Sequence, residues 1–153
     1  KNNITDVGLK IIAQSLMNNN SLQFFNMAQN KCKEDGFTDF AELLKVNTSL
    51  TEVSFGQNII SNEGIAFLGA MLPFNKTLRH LDLSRNSFND TGFDEFAELL
   101  AQNEGLVFLD IAKNKDVTDE GSLITLCDSL AINKTLKTLD LTGLNVRKPF
   151  LKQ

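Results

Sequence analysis

The sequence predicts an α/β solenoid, in which strand-plus-helix modules stack into a curved array with a parallel sheet on the concave face and helices on the convex face. Three series of residues recur at intervals of 28 to 30 positions and indicate the repeat. One series is of glycines and two are of asparagines. Their members are Gly8, Gly36, Gly64, Gly92 and Gly121; Asn2, Asn30, Asn58, Asn86 and Asn114; and Asn19, Asn47, Asn75, Asn103 and Asn133. Three independent series of this kind define about five repeats.

Length and composition are typical of one globular domain. The chain has 153 residues, of which 42% are hydrophobic, so we expect residues 1–153 to form a single repeat domain. Nineteen acidic residues against 15 basic ones give a formal charge of −4, which argues against a surface that binds nucleic acid or an anionic membrane. The longest nearly unbroken apolar stretch, residues 64–74, is too short to cross a bilayer. Two cysteines fit a reducing compartment, and we therefore expect a cytoplasmic protein.

The first half of each repeat is predicted to be a short strand. In the clearest repeat, Leu78, Leu81 and Leu83 occupy the first, fourth and sixth places of a nine-residue motif, and Asn86 occupies the ninth. Alternation at the fourth and sixth places is typical of a strand that buries one face. We expect each ninth-place asparagine to satisfy backbone groups of the turn that leaves the sheet. The last repeat has Leu144 at this place instead.

The second half of each repeat is predicted to be an amphipathic helix. Apolar residues at positions i, i+3, i+4 and i+7 form one helical face, as Phe93, Phe96, Ala97 and Leu100 do. One position on this face is small in every repeat, which predicts a close approach to a neighbouring element. The small residues are Ala13, Ala41, Gly69, Ala97 and Cys127.

Polar residues at the helix ends suggest caps. The expected N-cap positions, three residues before each series glycine, are Thr5, Lys33, Ser61, Asn89 and Thr118. Acidic residues follow in the first turn, where the helix dipole favours them. They include Asp6, Glu34, Asp90 and Asp119. The asparagine at each helix end, such as Asn47 or Asn75, suits a left-handed C-cap or the turn after it.

The motif Leu-x-x-Leu-x-Leu-x-x-Asn, with its 28-residue period and intervening helix, resembles the ribonuclease-inhibitor-like leucine-rich repeats, most clearly in residues 78–86. The resemblance covers practically the whole chain and implies a horseshoe-shaped solenoid. Proteins similar in these repeats include ribonuclease inhibitors, activators of the Ran-type small GTPase, sensors of innate immunity, actin-capping regulators and ciliary scaffold components. What the resemblance implies for function is a rigid curved surface that binds another protein.

Both ends of the chain interrupt the repeat pattern. Asn2 occupies a ninth place, so the strand of its repeat would precede Lys1. Leu151 lies 28 positions after Leu123, as if another helix began after Pro149. We therefore expect a segment of a longer protein.

Outward positions of the predicted sheet are candidate partner contacts. The fifth place carries carboxylates on three neighbouring strands, whose repulsion a basic partner would relieve. The third place carries two phenylalanines and the only histidine, and an exposed aromatic side chain on a concave face is a typical interface anchor. Basic residues occupy the second place nearby. The predicted partner-binding residues are Phe24, Arg79, His80, Asp82, Phe108, Asp110, Lys137 and Asp140.

Two of these assignments have structural alternatives. Nearby basic side chains would also offset the acidic row without any partner; they are Arg79, Arg85, Lys113 and Lys137. Phe24 has Phe25 beside it, and a register shift would bury Phe24 in its place. Phe108 has no such neighbour and is the preferred contact residue.

The residues predict no catalytic, cofactor or metal site. His80 is the only histidine, and no Ser or Cys nucleophile is placed near both it and Asp82. Cys32 and Cys127 are expected to be buried packing residues in different repeats, too far apart to pair. We therefore predict a non-enzymatic scaffold that docks a protein partner on its concave sheet, with no nucleic acid, membrane or small-molecule substrate. The alternative is a regulator of a small GTPase, as the similarity to Ran activators allows. Ribonuclease inhibition is less favoured, because similar inhibitors are rich in cysteine and tryptophan.

Overall fold

Five helices alternate with five short strands over residues 2–146, which are the residues that the computed structural model describes. The helices are α1 (Asp6–Leu16), α2 (Asp35–Val46), α3 (Asn62–Met71), α4 (Asp90–Leu100) and α5 (Glu120–Ile132). The strands are β1 (Phe24–Asn26), β2 (Glu52–Ser54), β3 (His80–Asp82), β4 (Phe108–Asp110) and β5 (Thr138–Asp140). The predicted α/β solenoid is confirmed. The further helix expected after Pro149 lies outside the described residues.

All five strands belong to one parallel sheet in the order β1-β2-β3-β4-β5, so neighbours in sequence are neighbours in space. Leu81 pairs with Leu109, and Leu109 pairs with Leu139. Leu81 and Leu109 are fully buried, and Leu139 packs against the same core. Because the register is the same in every strand pair, each place of the motif forms a continuous row across the sheet, with one residue from each strand.

Helices and sheet enclose a single core rich in phenylalanine. Phe37, Phe40 and Phe55 are fully buried. The ring of Phe55 meets the other two edge-on, with centroid distances of 4.8 and 4.9 Å. Such edge-to-face pairs contribute about 1 kcal/mol beyond the free energy of burial itself. The predicted apolar face of α4, including Phe93 and Phe96, is buried in the same core.

The small position on α3 faces the helix of the following repeat. A Cβ atom on Gly69 of α3 would lie 3.3 Å from the Cα of Phe96 in α4. Ala13 and Ala97, at equivalent positions, are fully buried. The prediction that Cys127 is buried in the same way is wrong, because it is exposed. No helix follows α5 within residues 2–146, so nothing described covers this position.

The strand-end asparagines connect consecutive repeats through hydrogen bonds. The side-chain amide of Asn58 donates to the carbonyl oxygens of Phe55 in its own repeat and Met27 in the preceding one, both at 3.0 Å. Its Oδ1 accepts the N–H of Cys32 at 3.1 Å. Asn114, which is completely buried, donates in the same way. The expected role in the turn is confirmed, and the structure adds that these bonds cross the repeat boundary.

Of the two roles predicted for the helix-end asparagines, the structure shows the one in the turn after the helix and not the left-handed C-cap. Asn47, the C-cap of α2, has an extended backbone with φ −72° and ψ 131°, not a left-handed one. Its Oδ1 accepts the N–H groups of Ser49 and Leu50, and its amide donates to the carbonyl of Asn19 in the preceding repeat. Left-handed residues stand instead just before the ninth place of each motif. They are Gln29, Gln57, Arg85, Lys113 and Gly143.

Helix starts match the predicted N-caps in three of the five repeats that the structure describes. Ser61 and Asn89 are N-caps whose side chains accept a backbone N–H of the first turn. Thr5 is also an N-cap, but its side chain makes no such bond. The remaining two helices begin one residue later than predicted, with Glu34 and Asp119 as N-caps.

Polar residues in the first helical turn also reach the next repeat. Asp6 Oδ1 accepts the N–H of Lys33 at 2.8 Å. Asp90 Oδ1 accepts the N–H groups of Thr118 and Asp119, both at 2.9 Å. Burial raises the pKa of Asp90, but these N–H groups outweigh it and hold the pKa below its ordinary value. The acidic residues assigned to the helix dipole therefore also bond one repeat to the next.

Replacing Asn58 by alanine should destabilise the fold. Asn58→Ala leaves the buried N–H of Cys32 without its acceptor and removes one of the two side-chain amides that donate to each of two turn carbonyls, so we expect a loss of about 2 kcal/mol in the free energy of unfolding. Urea denaturation measures it. Asn18→Ala, at an exposed position in the turn after α1, is the matched control and should change stability little. Equal effects of the two substitutions would contradict the bridging role.

Asp90 should make the free energy of unfolding depend on pH in the acid range. Because the pKa is lower in the folded chain than in the unfolded chain, the stabilisation is fully present above the ordinary pKa of about 4 and is lost as the pH falls through the folded value. Asp90→Asn keeps an acceptor oxygen, as Asn62 does for Asn89 one repeat earlier, but removes the titration. The stability advantage of the natural protein over this variant should therefore shrink below about pH 4.

Urea unfolding of both proteins between pH 7 and pH 3 measures this difference. Asp128→Asn, which removes the same charge at an exposed position on α5, is the control. If the difference in the free energy of unfolding between the natural protein and Asp90→Asn stays constant from pH 7 to pH 3, titration of the carboxylate contributes nothing to stability.

Candidate functional site

Two rows of outward side chains cross the concave face of the sheet. Neighbouring members of a row lie on paired strands, about 4.8 Å apart at the backbone. The third-place row consists of Phe24, Glu52, His80, Phe108 and Thr138. The fifth-place row consists of Asn26, Ser54, Asp82, Asp110 and Asp140. The repeat register therefore determines which side chains are adjacent.

A groove of about 240 Å³ lies over β1, β2 and β3 and reaches β4. Its outward lining residues are Phe24, Asn26, Glu52, Ser54, His80, Asp82 and Phe108. Two of these carry carboxylates, and none of the lining residues is a lysine or an arginine. The groove unites four of the predicted contact residues and leaves out Arg79, Asp110, Lys137 and Asp140. It combines aromatic walls with negative charge.

Phe24 is the aromatic side chain most available to a partner in this groove, with 62% of its surface exposed. Phe25 points into the core, where its ring stacks on that of Phe40 at a centroid distance of 5.1 Å. The alternative in which Phe24 is the buried residue is therefore wrong. Phe108, the preferred contact in the sequence analysis, is half-buried, and its ring centroid lies 5.7 Å from that of His80.

Glu52 is a groove residue that the sequence analysis did not select. Its Oε1 lies 3.4 Å from Nδ1 of His80, and about 39% of its side chain is exposed. The register places it directly between Phe24 and His80. Its third place in the motif could have identified it, because other residues of the row were predicted as contacts from that same place.

Asp82 is held in position by three donors. The Ser54 hydroxyl donates to Oδ2 at 2.6 Å, and the N–H and hydroxyl of Ser84 donate to Oδ1 at 2.9 and 2.7 Å. Gly56 supplies the space, because a Cβ atom there would lie only 2.7 Å from Oδ2. Both serines contact Asp82 directly, whereas His80 faces Glu52. The Ser-His-Asp order of a hydrolytic relay is not formed by these residues.

The predicted acidic row is present on β3, β4 and β5. Asp82, Asp110 and Asp140 lie side by side, and each accepts the N–H of the residue two positions later. Burial raises the pKa of Asp110, and the carboxylates of Asp82 and Asp140 raise it further. Hydrogen bonds from the hydroxyl and N–H of Thr142 hold the pKa of Asp140 below its ordinary value. The row therefore stabilises the turns that leave the sheet.

The basic residues near the acidic row make no direct ion pair with it. Arg79 donates from its guanidinium to the carbonyl of Gly105 at 2.6 Å. Lys137 is exposed at the equivalent place before β5. Over the described part of the chain, every nitrogen–oxygen ion pair within 4.0 Å involves other residues. Charge is offset at longer range, as by Lys113 for Asp110 and Asp140.

Comparison with known proteins identifies the repeat. A family model described as "Leucine Rich repeat" matches residues 46–69 and 74–97, two ranges whose starts are 28 residues apart. Both ranges contain one strand of the sheet and most of the helix that follows it. The two matched ranges are leucine-rich repeats. The matched description does not specify the ribonuclease-inhibitor-like subtype, which stays a prediction.

Two solved structures with the same fold are similar over most of the chain. The structure described as "Leiomodin-1 Actin-Binding Site 2 (ABS2)" is 24% identical, with a TM-score of 0.66 over 84% of this chain and 73% of that chain. The tropomodulin C-terminal domain of Caenorhabditis elegans is 11% identical, with a TM-score of 0.73 over 87% of this chain and 82% of that chain. At these identities the likeness shows the fold alone. No curated protein matches the chain in sequence.

The described residues form neither a metal-binding cluster nor a membrane-spanning helix. Within residues 2–146, no group of three or more His, Cys, Asp or Glu side chains is arranged to hold a metal ion. The helices of that part of the chain are too short or too polar to cross a bilayer.

The two free cysteines have different surroundings. Cys32 is completely buried, and this burial, together with the charge of Asp6, raises the pKa of its thiol to about 12. Cys127 is exposed on α5. Since the thiolate is the reactive form, the two thiols should differ greatly in reactivity.

In the native protein, one thiol should react rapidly with Ellman's reagent at pH 8, and two should react after unfolding in urea. Cys127→Ser should abolish the rapid reaction, because only the buried thiol remains. Cys32→Ser is the reciprocal control and should keep it. Rapid reaction of both thiols in the folded protein would show that the layer around Cys32 opens readily.

Proposed function

We propose that this leucine-rich repeat protein is a non-enzymatic scaffold that binds a partner protein through its concave sheet. The observation that carries the proposal is Phe24, a largely exposed aromatic side chain at the edge of a groove built on regularly paired strands. A partner that covers one such ring gains on the order of 2 kcal/mol. The free thiols in different repeats support the accompanying proposal of a reducing, cytoplasmic location.

Pre-organisation supports binding at this face. The outward side chains stand on strands that are paired on both sides in β2, β3 and β4. Asp82 is already bonded to three donors, and His80 already lies against Glu52 and Phe108. Little conformational freedom is left to lose when a partner binds, so more of the contact energy appears as affinity.

Actin is the first partner to test, because one protein of similar fold is described as an actin-binding site. Regulation of a small GTPase, the alternative that the resemblance allowed, stays a prediction, since no particular residue of the groove favours it. The proposal for residues 1–153 as one repeat domain is supported by the single sheet and the single core.

Removing the aromatic anchors should weaken partner binding. Phe24→Ala should reduce affinity roughly 30-fold, which corresponds to about 2 kcal/mol of lost apolar contact. Phe108→Ala should have a smaller effect, because that ring is half-buried before binding. Biolayer interferometry with monomeric actin, and co-sedimentation with filaments, measure both effects.

Phe74→Ala is the matched control, because Phe74 is 65% exposed but lies in the turn after α3, away from the concave face. It should bind like the natural protein. If Phe74→Ala weakens binding and Phe24→Ala does not, the concave face is not the docking surface. If actin binds none of the proteins, actin is rejected, and the same variants are applied to partners recovered by crosslinking in cells.

A further inference from the structure

We infer that the groove receives an arginine side chain of the partner protein, with its guanidinium over Glu52 and between Phe24 and His80. The inference rests on the proposed function and adds the chemistry of the contact. The partner must then present a basic segment that inserts one arginine into the groove on the concave sheet.

The order of side chains along the third-place row suits a planar cation. Phe24 and His80 flank Glu52 in register, so their backbones are two strand spacings apart, or about 10 Å. A flat group can therefore enter between the two rings. Aromatic faces attract cations, and guanidinium stacks on them better than ammonium does. Phe108 supports His80 from the far side, with ring centroids 5.7 Å apart.

Within residues 2–146, no lysine or arginine lies within 4.0 Å of the carboxylate at the centre of this row. The basic side chain within that distance of Glu52 is His80. Asp82 adds a second carboxylate on the adjacent row, already oriented by Ser54 and Ser84. Carboxylates bind guanidinium in a bidentate geometry, which makes the contact directional as well as strong.

Charge and size point to the same occupant. Two carboxylates and no lysine or arginine line the groove, and the nearby guanidinium of Arg79 is engaged with the Gly105 carbonyl. A volume of about 240 Å³ is below the roughly 300 Å³ at which pockets for small molecules begin, and it suits one long side chain. The groove is therefore complementary in charge and shape to a single arginine.

Short peptides test the inference without knowledge of the partner. The probe is the capped peptide Gly-Ser-Gly-Arg-Gly-Ser-Gly, and its matched control carries citrulline, which has the same shape as arginine but no charge. Chemical shifts of backbone amides, followed by NMR during titration into the ¹⁵N-labelled protein, report site and affinity. We expect saturable shifts at Phe24, Glu52 and His80, with the citrulline peptide roughly tenfold weaker or undetectable. A lysine peptide should bind more weakly than the arginine peptide.

Protein variants locate the contact. Glu52→Gln changes one charge at constant shape and should weaken the arginine peptide roughly tenfold. Phe24→Ala should also weaken it, whereas Phe74→Ala should not. Equal binding of the arginine and citrulline peptides, a lysine peptide that binds as well as arginine, shifts confined to other faces, or an unaffected Glu52→Gln variant would each overturn the inference.

The two proposals fail in different ways. If the peptides show no preference for arginine but Phe24→Ala still weakens the complex with the partner, the groove docks a partner by another chemistry and only this inference is wrong. If Phe24→Ala leaves the partner complex unchanged, the proposed function is wrong, whatever the peptides show.

Discussion

Buried asparagine side chains that bond across repeat boundaries are the interaction on which the rest of the structure depends. The chain leaves the sheet through a tight turn whose carbonyl and N–H groups would otherwise be buried without partners, at a cost of about 1–3 kcal/mol each. Asn58 satisfies groups in its own turn and in the preceding repeat at once. Because an amide both donates and accepts, one residue type can perform this at every boundary. The bonds thereby hold each repeat in a defined position on its neighbour.

The candidate site follows from this constraint on register. Strands of only three residues could slide without a fixed relation between repeats, and every row of outward side chains would then be lost. With the register fixed, Glu52 must lie between Phe24 and His80, although each of these two residues is 28 positions away from it in the chain. Residues that are one repeat apart in the sequence therefore lie side by side on neighbouring strands. The groove is lined by unlike third-place residues from neighbouring repeats.

The acidic row shows how one residue can serve structure and binding together. Asp82, Asp110 and Asp140 cap the turns after their strands, which accounts for an acidic residue at this place without any partner. The same register sets their charges side by side and contributes to the raised pKa of Asp110. The aspartates that stabilise these turns therefore also place negative charge beside the groove. Glu52 differs, because its carboxylate faces the groove, where Nδ1 of His80 lies 3.4 Å from it.

The sequence by itself determined the repeat, the alternation of strand and helix, and the membership of each row, because these depend on periodicity, which is a local property of the chain. Only the tertiary structure decided that Phe24 is more exposed than Phe108, that Cys127 is uncovered, and that the left-handed residues precede the ninth place. The left-handed C-cap expected for the helix-end asparagines was wrong for the same reason, whereas the alternative expectation of a role in the turn after the helix is confirmed. Asn47 is extended because its amide reaches Asn19 in another repeat. Each of these outcomes depends on which atoms of a neighbouring repeat occupy the adjacent space. The sequence pattern within one repeat does not identify those atoms.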